Sequence, residues 1–340
     1  MGKYLQTAFL IFSLSLFAGC GFKKEVSFSG KTMGTTYSIK VVTGIFKDTK
    51  TLKNKIEMRL EEINNSMSTF RKDSEISQFN ALNRSGENFY ISDDFFYVVT
   101  VAKKLFTLTD GAWDGTIKPL VDLWGFGNSN NKNKIPTETK IQNALLNTGF
   151  NHIIISPNRY LVKKIGSISL DFASIAKGFA VDQMATVIKK DGIYNFLVEI
   201  GGEGYASGLR KDGKQWKIGI NRPHQDAPTD QVYKVLTLQN KAFATSGDYR
   251  NFFEQKGKRF SHILDPINGF PITNGVVSVS ILADTCTFAD GLATAIMVMG
   301  PEKGLELVNR LDNTEGLILV RKNDETLVDY YSKGFNPNPS

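Results

Sequence analysis

The chain has 340 residues, of which 41% are hydrophobic, and a formal net charge of +7 at pH 7. Two cysteines, Cys20 and Cys286, are too few for a cysteine metal cluster. The excess positive charge suits anionic small molecules and membrane surfaces, but it is spread along the chain without an interleaved aromatic repeat, which argues against nucleic-acid binding.

Residues 1–19 have the pattern of a secretory leader. A charged start precedes an apolar run from Ala8 to Ala18, which is shorter than a typical membrane span. Ala18, Gly19 and Cys20 resemble the end of a bacterial lipobox, with Phe17 where leucine is usual. The pattern predicts lipidation of Cys20, and the alternative is an ordinary secretory leader that is cleaved nearby. With Cys20 lipidated, Cys286 has no disulfide partner.

The next residues predict a short tether over 20–29, followed by the first regular elements. The glycine-flanked segment 30–36 can approach a ligand closely, or it is only a turn. Tyr37 to Val42 alternates like a strand. The spacing of apolar residues predicts an amphipathic helix over 51–67, with a second helix starting at Ser92.

The segment 109–127 contains four glycines and two tryptophans. Glycines can admit a bulky planar group and an indole ring can stack on it, so this composition is typical of a ligand-lining loop. The alternative is a buried aromatic cluster with turns around it.

The chain is organised around residues 169–190. Ser167 to Leu170 alternates like a half-buried strand, and the apolar period of a helix follows Asp171. Asp171, the hydroxyl of Ser174 and the free amides of a helix start would meet at this junction, where phosphate binds readily. Lys177 opposes the helix dipole so close to the helix start, which makes sense if an anion lies in front of it. An ordinary turn with a solvated lysine is the alternative.

Further along, Phe196 to Ile200 predicts a strand that runs into Gly201-Gly202-Glu203-Gly204. This cluster lacks the spacing of a dinucleotide fingerprint or a P-loop, and it indicates a close backbone approach with phosphate contact as one option. His262 lies in polar company at a strand end before the Asp265-Pro266 turn. A lone histidine is usually structural, so a catalytic role is only one of two interpretations.

Asp290 and Thr294 lie four residues apart on a predicted apolar helix and therefore share a face. Both offer hard oxygen ligands, which suit Mg²⁺ better than a soft metal. The alternative is a helix-start aspartate beside a threonine that bonds its own backbone.

Eight segments together resemble, in order, the ApbE family of FAD:protein FMN transferases. The similarity runs from about Gly30 to Gly300. The segments are Thr32 to Tyr37, Met67 to Arg71, Asp110 to Asp114, Pro119 to Gly127, Leu170 to Gly178, Ala244 to Tyr249, Ser261 to Pro266 and Ala289 to Thr294.

The resemblance implies an α+β fold, with one compact domain of mixed sheets and helices over residues 30–333 and a flexible tail over 334–340. It implies Mg²⁺-dependent cleavage of FAD at its pyrophosphate, attachment of FMN to a threonine of a target flavoprotein, and release of AMP. Subunits of a sodium-pumping quinone reductase are the family's usual acceptors. Members are typically lipoproteins, so we expect a lipid-anchored protein of the cell envelope on the periplasmic side, with the inner membrane as the expected location.

The resemblance also implies roles for individual residues. His262 matches the family histidine that is expected to deprotonate the acceptor threonine. Ser174, through its carbonyl, would bind the metal together with Asp290 and Thr294. The residues that would line the FAD site are Met33, Phe70, Ala112, Trp113, Asp114, Asp171, Lys177 and Leu264.

Two positions depart from some relatives. Phe70 stands where some carry tyrosine, which would remove a hydroxyl and keep stacking. Ala293 stands where some carry an aspartate, so this metal site would have one ligand fewer. Two rival functions are compatible with the sequence: an FAD pyrophosphatase that uses water in place of threonine, and a flavin-binding lipoprotein without catalysis. A pure carrier would have no need for the Asp290 and Thr294 pair.

Overall fold

The computed structural model describes residues 22–127, 134–223, 231–248, 251–255 and 257–336. The predicted leader and the predicted lipidation site, Cys20, lie outside these ranges, as does Tyr249. Within the described ranges, no helix is both long and apolar enough to cross a bilayer.

The described strands form four sheets, and all strand pairs within them are antiparallel. The strands are β1 (Lys23–Thr32), β2 (Thr35–Gly44), β3 (Asn88–Tyr90), β4 (Ile153–Ser156), β5 (Tyr160–Lys163), β6 (Asn195–Ile200), β7 (Glu203–Ser207), β8 (Trp216–Asn221), β9 (Val232–Leu238), β10 (Lys241–Gly247), β11 (Phe252–Gln255), β12 (Lys258–Ser261), β13 (Val276–Ala283), β14 (Glu315–Arg321) and β15 (Leu327–Tyr331). The largest sheet has eight strands in the order β1-β2-β6-β7-β10-β13-β14-β15. Three small sheets join β3-β5-β4, β8-β9 and β11-β12.

Eight α-helices are described. They are α1 (Lys50–Met67), α2 (Glu75–Ala81), α3 (Asp93–Leu108), α4 (Lys118–Trp124), α5 (Glu138–Leu145), α6 (Ala173–Lys190), α7 (Cys286–Met299) and α8 (Pro301–Val308). The predicted helix over 51–67 is confirmed as α1, whose buried face includes Leu52, Ile56, Leu60 and Ile63. The predicted helix start at Ser92 is also confirmed, because its side chain accepts a hydrogen bond from the Phe95 N–H at the start of α3.

The eight-stranded sheet is covered on both faces, which explains its apolar strands. The two faces pack into two different hydrophobic cores, so alternate residues of one strand point to different cores. Phe196 and Val198 of β6 pack into the main core, which contains α6 and α7. Leu197 packs into the second core, which the strands β8 and β9 cover. In the same way, Ile318 faces the main core and Leu317 the second core. The predicted α+β fold is therefore confirmed.

The predicted tether over 20–29 is wrong from Lys23 onward. Residues 23–32 form β1, which pairs with β2 along its whole length, from Lys23 opposite Gly44 to Thr32 opposite Thr35. The reason is a period-2 pattern in which Phe28 is buried between exposed neighbours. The predicted tail also begins too early, because Phe335 is buried and its ring lies 5.5 Å from that of Tyr331.

The strand predicted over Ser167 to Leu170 does not form. Ile168 and Leu170 are buried as the alternation suggests, but this segment belongs to no sheet. The Asn80 side chain replaces a neighbouring strand: it accepts a hydrogen bond from the Leu170 N–H at 2.6 Å and donates one to the Leu170 carbonyl at 2.8 Å. A side-chain amide thus satisfies a buried backbone segment.

Candidate active site

Two adjoining cavities lie at the start of α6. The smaller one, the His262 cavity, has a volume of about 450 Å³, and the larger one, the Met33 cavity, about 650 Å³. Both volumes fall in the range of small-molecule sites. The two cavities share Thr69, Phe70, Ala173 and Lys177 in their walls, so together they form one elongated site.

Every predicted site residue that the structure describes lines one of these cavities. Met33 lines the Met33 cavity, and Phe70 and Lys177 line both. The His262 cavity contains the remaining ones: Ala112, Trp113, Asp114, Asp171, Ser174, His262, Leu264, Asp290 and Thr294. Residues from opposite ends of the sequence therefore meet at one place.

The turn between β1 and β2 presents Met33 to the larger cavity. Met33 and Gly34 are the two turn residues, and both have positive φ angles, 50° and 73°. A two-residue hairpin favours this backbone conformation, which is unusual for methionine. Across the same cavity, the Phe70 ring is 73% exposed and is available for stacking on a flat ligand.

The tryptophans of the segment 109–127 do not stack on a ligand, although one interpretation of the sequence predicts that they do. Trp113 is 2% exposed and Trp124 is fully buried, so neither indole offers a free face. Trp113 instead donates a hydrogen bond from Nε1 to the Ser174 hydroxyl at 3.0 Å. The buried aromatic cluster is therefore the correct interpretation of the two tryptophans. Asp114 has a local role as well, since its Oδ1 accepts hydrogen bonds from the Thr116 N–H and hydroxyl.

The start of α6 brings Asp171 and Ser174 to the cavity as predicted, but its amides are mostly not free: the Ile175 and Ala176 N–H groups donate to the Phe172 carbonyl. The Oδ1 of Asp171 accepts a hydrogen bond from the Ala173 N–H at 2.8 Å, which fixes the first residue of the helix. Burial raises the pKa of the Asp171 carboxyl. Asp171, Ala173 and Ser174 all line the His262 cavity, so the positive end of the helix dipole points toward it.

Lys177 lies between two buried carboxylates. Its Nζ is 3.5 Å from Glu203 Oε1 and 3.8 Å from Asp290 Oδ2. Burial disfavours the charged lysine, but the two carboxylates outweigh it and raise the pKa of Lys177. The sequence predicts an anion in front of Lys177, and in the structure the carboxyl groups of Glu203 and Asp290 occupy that place.

Glu203 belongs to the site, although the sequence predicts a role only for the glycines around it. Gly201 and Gly202 have positive φ angles and turn the chain from β6 into β7. A Cβ atom on Gly201 would lie 3.3 Å from Lys177 Cδ, so the glycine leaves room for the lysine stem. Glu203 itself is 3% exposed, and its Oε2 has no hydrogen-bond partner among the described residues. Burial raises the pKa of the Glu203 carboxyl to about 8. A cation that binds beside Glu203 would therefore favour the loss of its proton.

Asp290 and Thr294 face the His262 cavity from α7. The Gly178 N–H of α6 donates to Asp290 Oδ2 at 3.0 Å, and burial raises the pKa of the Asp290 carboxyl. The Thr294 hydroxyl is 3.0 Å from the Ser246 hydroxyl. In a regular helix the Gly178 N–H would donate to the Ser174 carbonyl four residues earlier. Asp290 Oδ2 accepts from this same N–H, and the hydrogen bond to the Ser174 carbonyl is weakened as a result.

The donor set suits a hard cation. Asp290, Thr294 and the orphaned oxygen of Glu203 are all oxygen donors, as Mg²⁺ requires. Among the described residues, no group of three or more His, Cys, Asp or Glu side chains could hold a metal. A bound Mg²⁺ would therefore depend on few protein ligands and on water or substrate oxygens, which is common for this ion.

A second carboxylate, Asp182, fixes how α6 and α7 meet. It accepts hydrogen bonds from the Cys286 N–H at 2.8 Å and from the Thr287 N–H at 2.9 Å, the first residues of α7. Asp182 thereby caps the helix that carries Asp290 and Thr294. No local sequence signal identifies it, because the helix that it caps lies more than 100 residues away.

His262 directly follows β12 and is held in one orientation. Its Nδ1 lies 2.8 Å from the Asn251 carbonyl oxygen, which can only accept, so Nδ1 carries the proton and Nε2 carries the lone pair. Burial lowers the pKa of His262, and the charges of Lys177 and Arg259 lower it further. The hydrogen bond to Asn251 raises the pKa but does not outweigh these effects. A neutral imidazole with an available Nε2 is suited to act as a general base.

Comparison with known proteins gives one consistent result. The model of the ApbE family matches residues 33–318. Relatives named FAD:protein FMN transferase include one from Vibrio cholerae, 45% identical over 328 residues with 96% of each chain covered, and one from Haemophilus influenzae, 38% identical with 95% of this chain and 94% of the relative covered.

Solved structures agree with this. The flavin transferase ApbE from Vibrio cholerae superposes with a TM-score of 0.84 at 42% identity, covering 92% of this chain and 99% of that one. The apo form of the Pseudomonas stutzeri flavinyl transferase ApbE gives a TM-score of 0.82 at 38% identity, covering 92% and 96%. With a family match over most of its length and relatives above 30% identity, this chain belongs to the ApbE family.

Proposed function

We propose that this protein transfers the FMN part of FAD to a threonine hydroxyl of a target protein and releases AMP. It is a transferase, with FAD and a protein acceptor as its substrates. The arrangement in the His262 cavity supports this function most directly. A neutral histidine with an available Nε2 shares the cavity with Lys177 and the start of α6. A base and a binding site for a pyrophosphate are the two parts that this reaction needs.

The pyrophosphate of FAD carries two negative charges that repel an incoming oxygen nucleophile. The Lys177 ammonium and the positive end of the α6 dipole can neutralise that charge, since Lys177, Ala173 and Ser174 line the cavity. The Phe70 ring, which lies in both cavities, would stack on a ring of the substrate. Together they would hold the FMN phosphorus near His262.

In the transfer step, the threonine oxygen forms a bond to the FMN phosphorus. The bond between that phosphorus and the bridging oxygen breaks, and AMP leaves with the bridging oxygen. His262 Nε2 takes the threonine proton, and the Asn251 carbonyl steadies the imidazolium through the Nδ1–H bond. A positioned base of this kind contributes about 10²–10⁴-fold to the rate.

Mg²⁺ fits the donor set described above. We propose that Asp290, Thr294 and the Ser174 carbonyl hold it; when bound, it would neutralise charge on the FAD phosphates. Asp290, and Glu203 once it has lost its proton, would supply the negative charge that attracts such an ion, and Lys177 would then be released to contact phosphate. The position occupied by Ala293 adds no further ligand.

The leader supports a proposal about location. Lipidation of Cys20 would anchor the protein on the periplasmic side of the inner membrane, where subunits of a sodium-pumping quinone reductase would be candidate acceptors. Replacing Cys20 by serine should release the protein from the membrane fraction at about 1 M salt, where surface charges are screened, while transfer in solution continues, because stable anchoring needs several acyl chains. Unchanged membrane partitioning of Cys20→Ser would overturn the anchor.

The central test is incubation of the protein with FAD, Mg²⁺ and a threonine-bearing target domain, followed by mass spectrometry of the target. We expect a mass increase equal to FMN on the target and one AMP for each FMN attached. A target with the threonine replaced by valine is the matched control and should stay unmodified. Free FMN with an unmodified target would instead show hydrolysis, and the transferase proposal would be wrong.

A further inference from the structure

Four large hydrophobic side chains are exposed together at one end of the eight-stranded sheet. Phe46 is 94% exposed, Phe22 80%, Tyr194 65% and Ile45 38%. The segments that carry them are neighbours: the Ile45 N–H donates to the Phe22 carbonyl at 3.0 Å, and Tyr194 directly precedes Asn195, which pairs with Val42 of β2. Grouped apolar exposure of this kind marks an interaction surface. We call these four residues the basal patch.

Basic residues surround the basal patch. The segments 22–25, 44–50, 189–194 and 208–214 contain nine Lys or Arg and four Asp or Glu, which leaves a net charge of +5, compared with +7 for the whole chain. The last of these segments is adjacent, because a Cβ atom on Gly208 would lie 2.6 Å from the Tyr194 carbonyl oxygen. Arg210 and Lys211 likewise line a small cavity with Glu25 of β1.

Most of this positive charge is available for a partner. Asp191 is already paired with Lys47 at 3.1 Å and with Lys55 at 2.9 Å, and Asp212 with Arg210 at 3.3 Å. Besides Lys189, whose Nζ lies over the Tyr205 ring, six lysines in the four segments form no ion pair within the described part of the chain. They are Lys23, Lys24, Lys50, Lys190, Lys211 and Lys214. The surface therefore combines exposed aromatic rings with uncompensated positive charge.

The chain itself indicates what covers this surface. Cys20, the lipidation site proposed above, lies two residues before Phe22, a distance of at most about 7 Å along an extended chain. A lipid at that position would hold the basal patch against the bilayer. Aromatic side chains favour the headgroup level of a membrane, and lysines close to an anionic surface are attracted to it.

We propose that the basal patch and its surrounding lysines form a membrane-contacting surface that binds an anionic lipid bilayer. Phe22, Phe46 and Tyr194 enter the headgroup region, and the lysines contact lipid phosphates. This surface supplements the acyl anchor and fixes the orientation of the domain, which a flexible lipid linkage alone would leave free.

The proposed orientation points the active site away from the membrane. β1 and β2 start and end at the patch, with Lys23 opposite Gly44, and their turn at Met33 lies in the active site. Ten-residue strands at about 3.3 Å a residue give a separation of roughly 30 Å. Helix α6 gives a similar value, because it runs from the active site at Ala173 to Lys190 beside the patch, 18 residues at about 1.5 Å each. Changes at the patch should therefore leave the chemistry intact.

The test uses the polypeptide of residues 21–340, which keeps every described element and carries neither leader nor lipid. It is sedimented with phosphatidylcholine vesicles, with and without about one third phosphatidylglycerol. We expect at least about tenfold stronger binding to the anionic vesicles, and loss of that difference at about 1 M salt, where surface charges are screened. Equal binding to both kinds of vesicle, or none to either, would overturn the proposal.

Two variants separate the contributions. Phe46→Ser and the triple change Lys23→Glu, Lys24→Glu and Lys190→Glu should each lower binding to anionic vesicles by about tenfold or more. Leu146→Ser, at a side chain 72% exposed elsewhere, and Lys303→Glu on α8 are the matched controls and should bind like the parent.

Flavin transfer to a soluble acceptor domain and the melting temperature serve as independent readouts. Both should be unchanged in all four variants, so that a failed fold or a failed transferase activity is recognised separately. Patch variants with normal vesicle binding and a normal melting temperature but reduced transfer would show that the surface docks the acceptor protein, and the membrane proposal would be wrong.

Discussion

The backbone N–H of Gly178 donates a hydrogen bond to the Oδ2 atom of Asp290 at 3.0 Å, although the two residues lie 112 positions apart on different helices. This contact requires the helices α6 and α7 to approach closely. A Cβ atom on residue 178 would lie 2.3 Å from the Cys286 carbonyl oxygen and 2.9 Å from the Asp290 Cβ, so only glycine fits. The position of the Asp290 carboxylate therefore depends on a missing side chain.

Replacing Gly178 by alanine should push α6 and α7 apart. We expect a loss of about 1–3 kcal/mol in the free energy of unfolding, as for other overpacked cores, together with a higher Mg²⁺ concentration for half-maximal transfer. Thermal unfolding and a Mg²⁺ titration measure the two effects. Gly44→Ala is the matched control, because a Cβ atom there meets nothing within 4 Å. An unchanged Mg²⁺ requirement in Gly178→Ala would mean that helix spacing does not set the site.

Removing the charge of Asp290 should weaken metal binding more than removing the Thr294 hydroxyl. Asparagine is the better replacement than alanine, since its side-chain oxygen can still accept the buried Gly178 N–H. In Asp290→Asn, transfer should collapse and recover in part at high Mg²⁺, because Mg²⁺ is bound through few carboxylates. Thr294→Val should show a smaller loss. Isothermal titration with Mg²⁺ alone provides a readout that does not depend on activity.

If Asp290→Asn binds Mg²⁺ like the parent protein, the carboxylate is not a ligand and serves only to join the two helices. The melting temperature of both variants must be measured as well, because Asp290 is 2% exposed and also approaches Lys177.

His262→Ala should retain FAD binding and lose transfer by about 10²–10⁴-fold, because the imidazole acts on the proton of the acceptor. Flavin fluorescence gives the FAD affinity, and mass spectrometry gives the transfer rate. His152→Ala is the control: this histidine lies in the 3₁₀ turn Phe150–His152 and lines neither cavity. Near-normal transfer with weakened FAD binding would place His262 in the flavin pocket instead.

The pH dependence of transfer should report the same imidazole. A general base works in its unprotonated form, so kcat/KM should rise with pH and level off above the pKa of His262. Burial, together with the charges of Lys177 and Arg259, lowers that pKa from its ordinary value of 6.5. We therefore expect the midpoint of the rise below pH 6.5. A midpoint clearly above this value would contradict a buried neutral base.

Much of the fold could be predicted because its signals are local. The apolar spacing of α1 and the cap at Ser92 are determined within a few residues, and both were predicted correctly. β1 was missed because its short alternating stretch directly follows the lipidation motif and was interpreted as a tether. The strand at Ser167 to Leu170 failed for a different reason: Asn80, almost 90 residues earlier, satisfies its backbone.

The residues of the candidate site were found from ordered motifs, and the structure brings the described ones together. Glu203 and Asp182 were missed because their roles depend on distant partners. Glu203 of strand β7 acts on Lys177 of helix α6, and Asp182 caps a helix that starts 104 residues later at Cys286. Neither contact leaves a pattern in a single sequence.

The hydrogen bond from Trp113 to Ser174 makes one indole an optical reporter of the active site. The ring is shielded from solvent, so its emission depends mainly on the polarity around Nε1 and on nearby absorbing groups. Flavins absorb where indoles emit, and a flavin in the His262 cavity would quench Trp113 by energy transfer. In a rapid-mixing experiment, the arrival of FAD could then be timed separately from the chemical step without attaching any label.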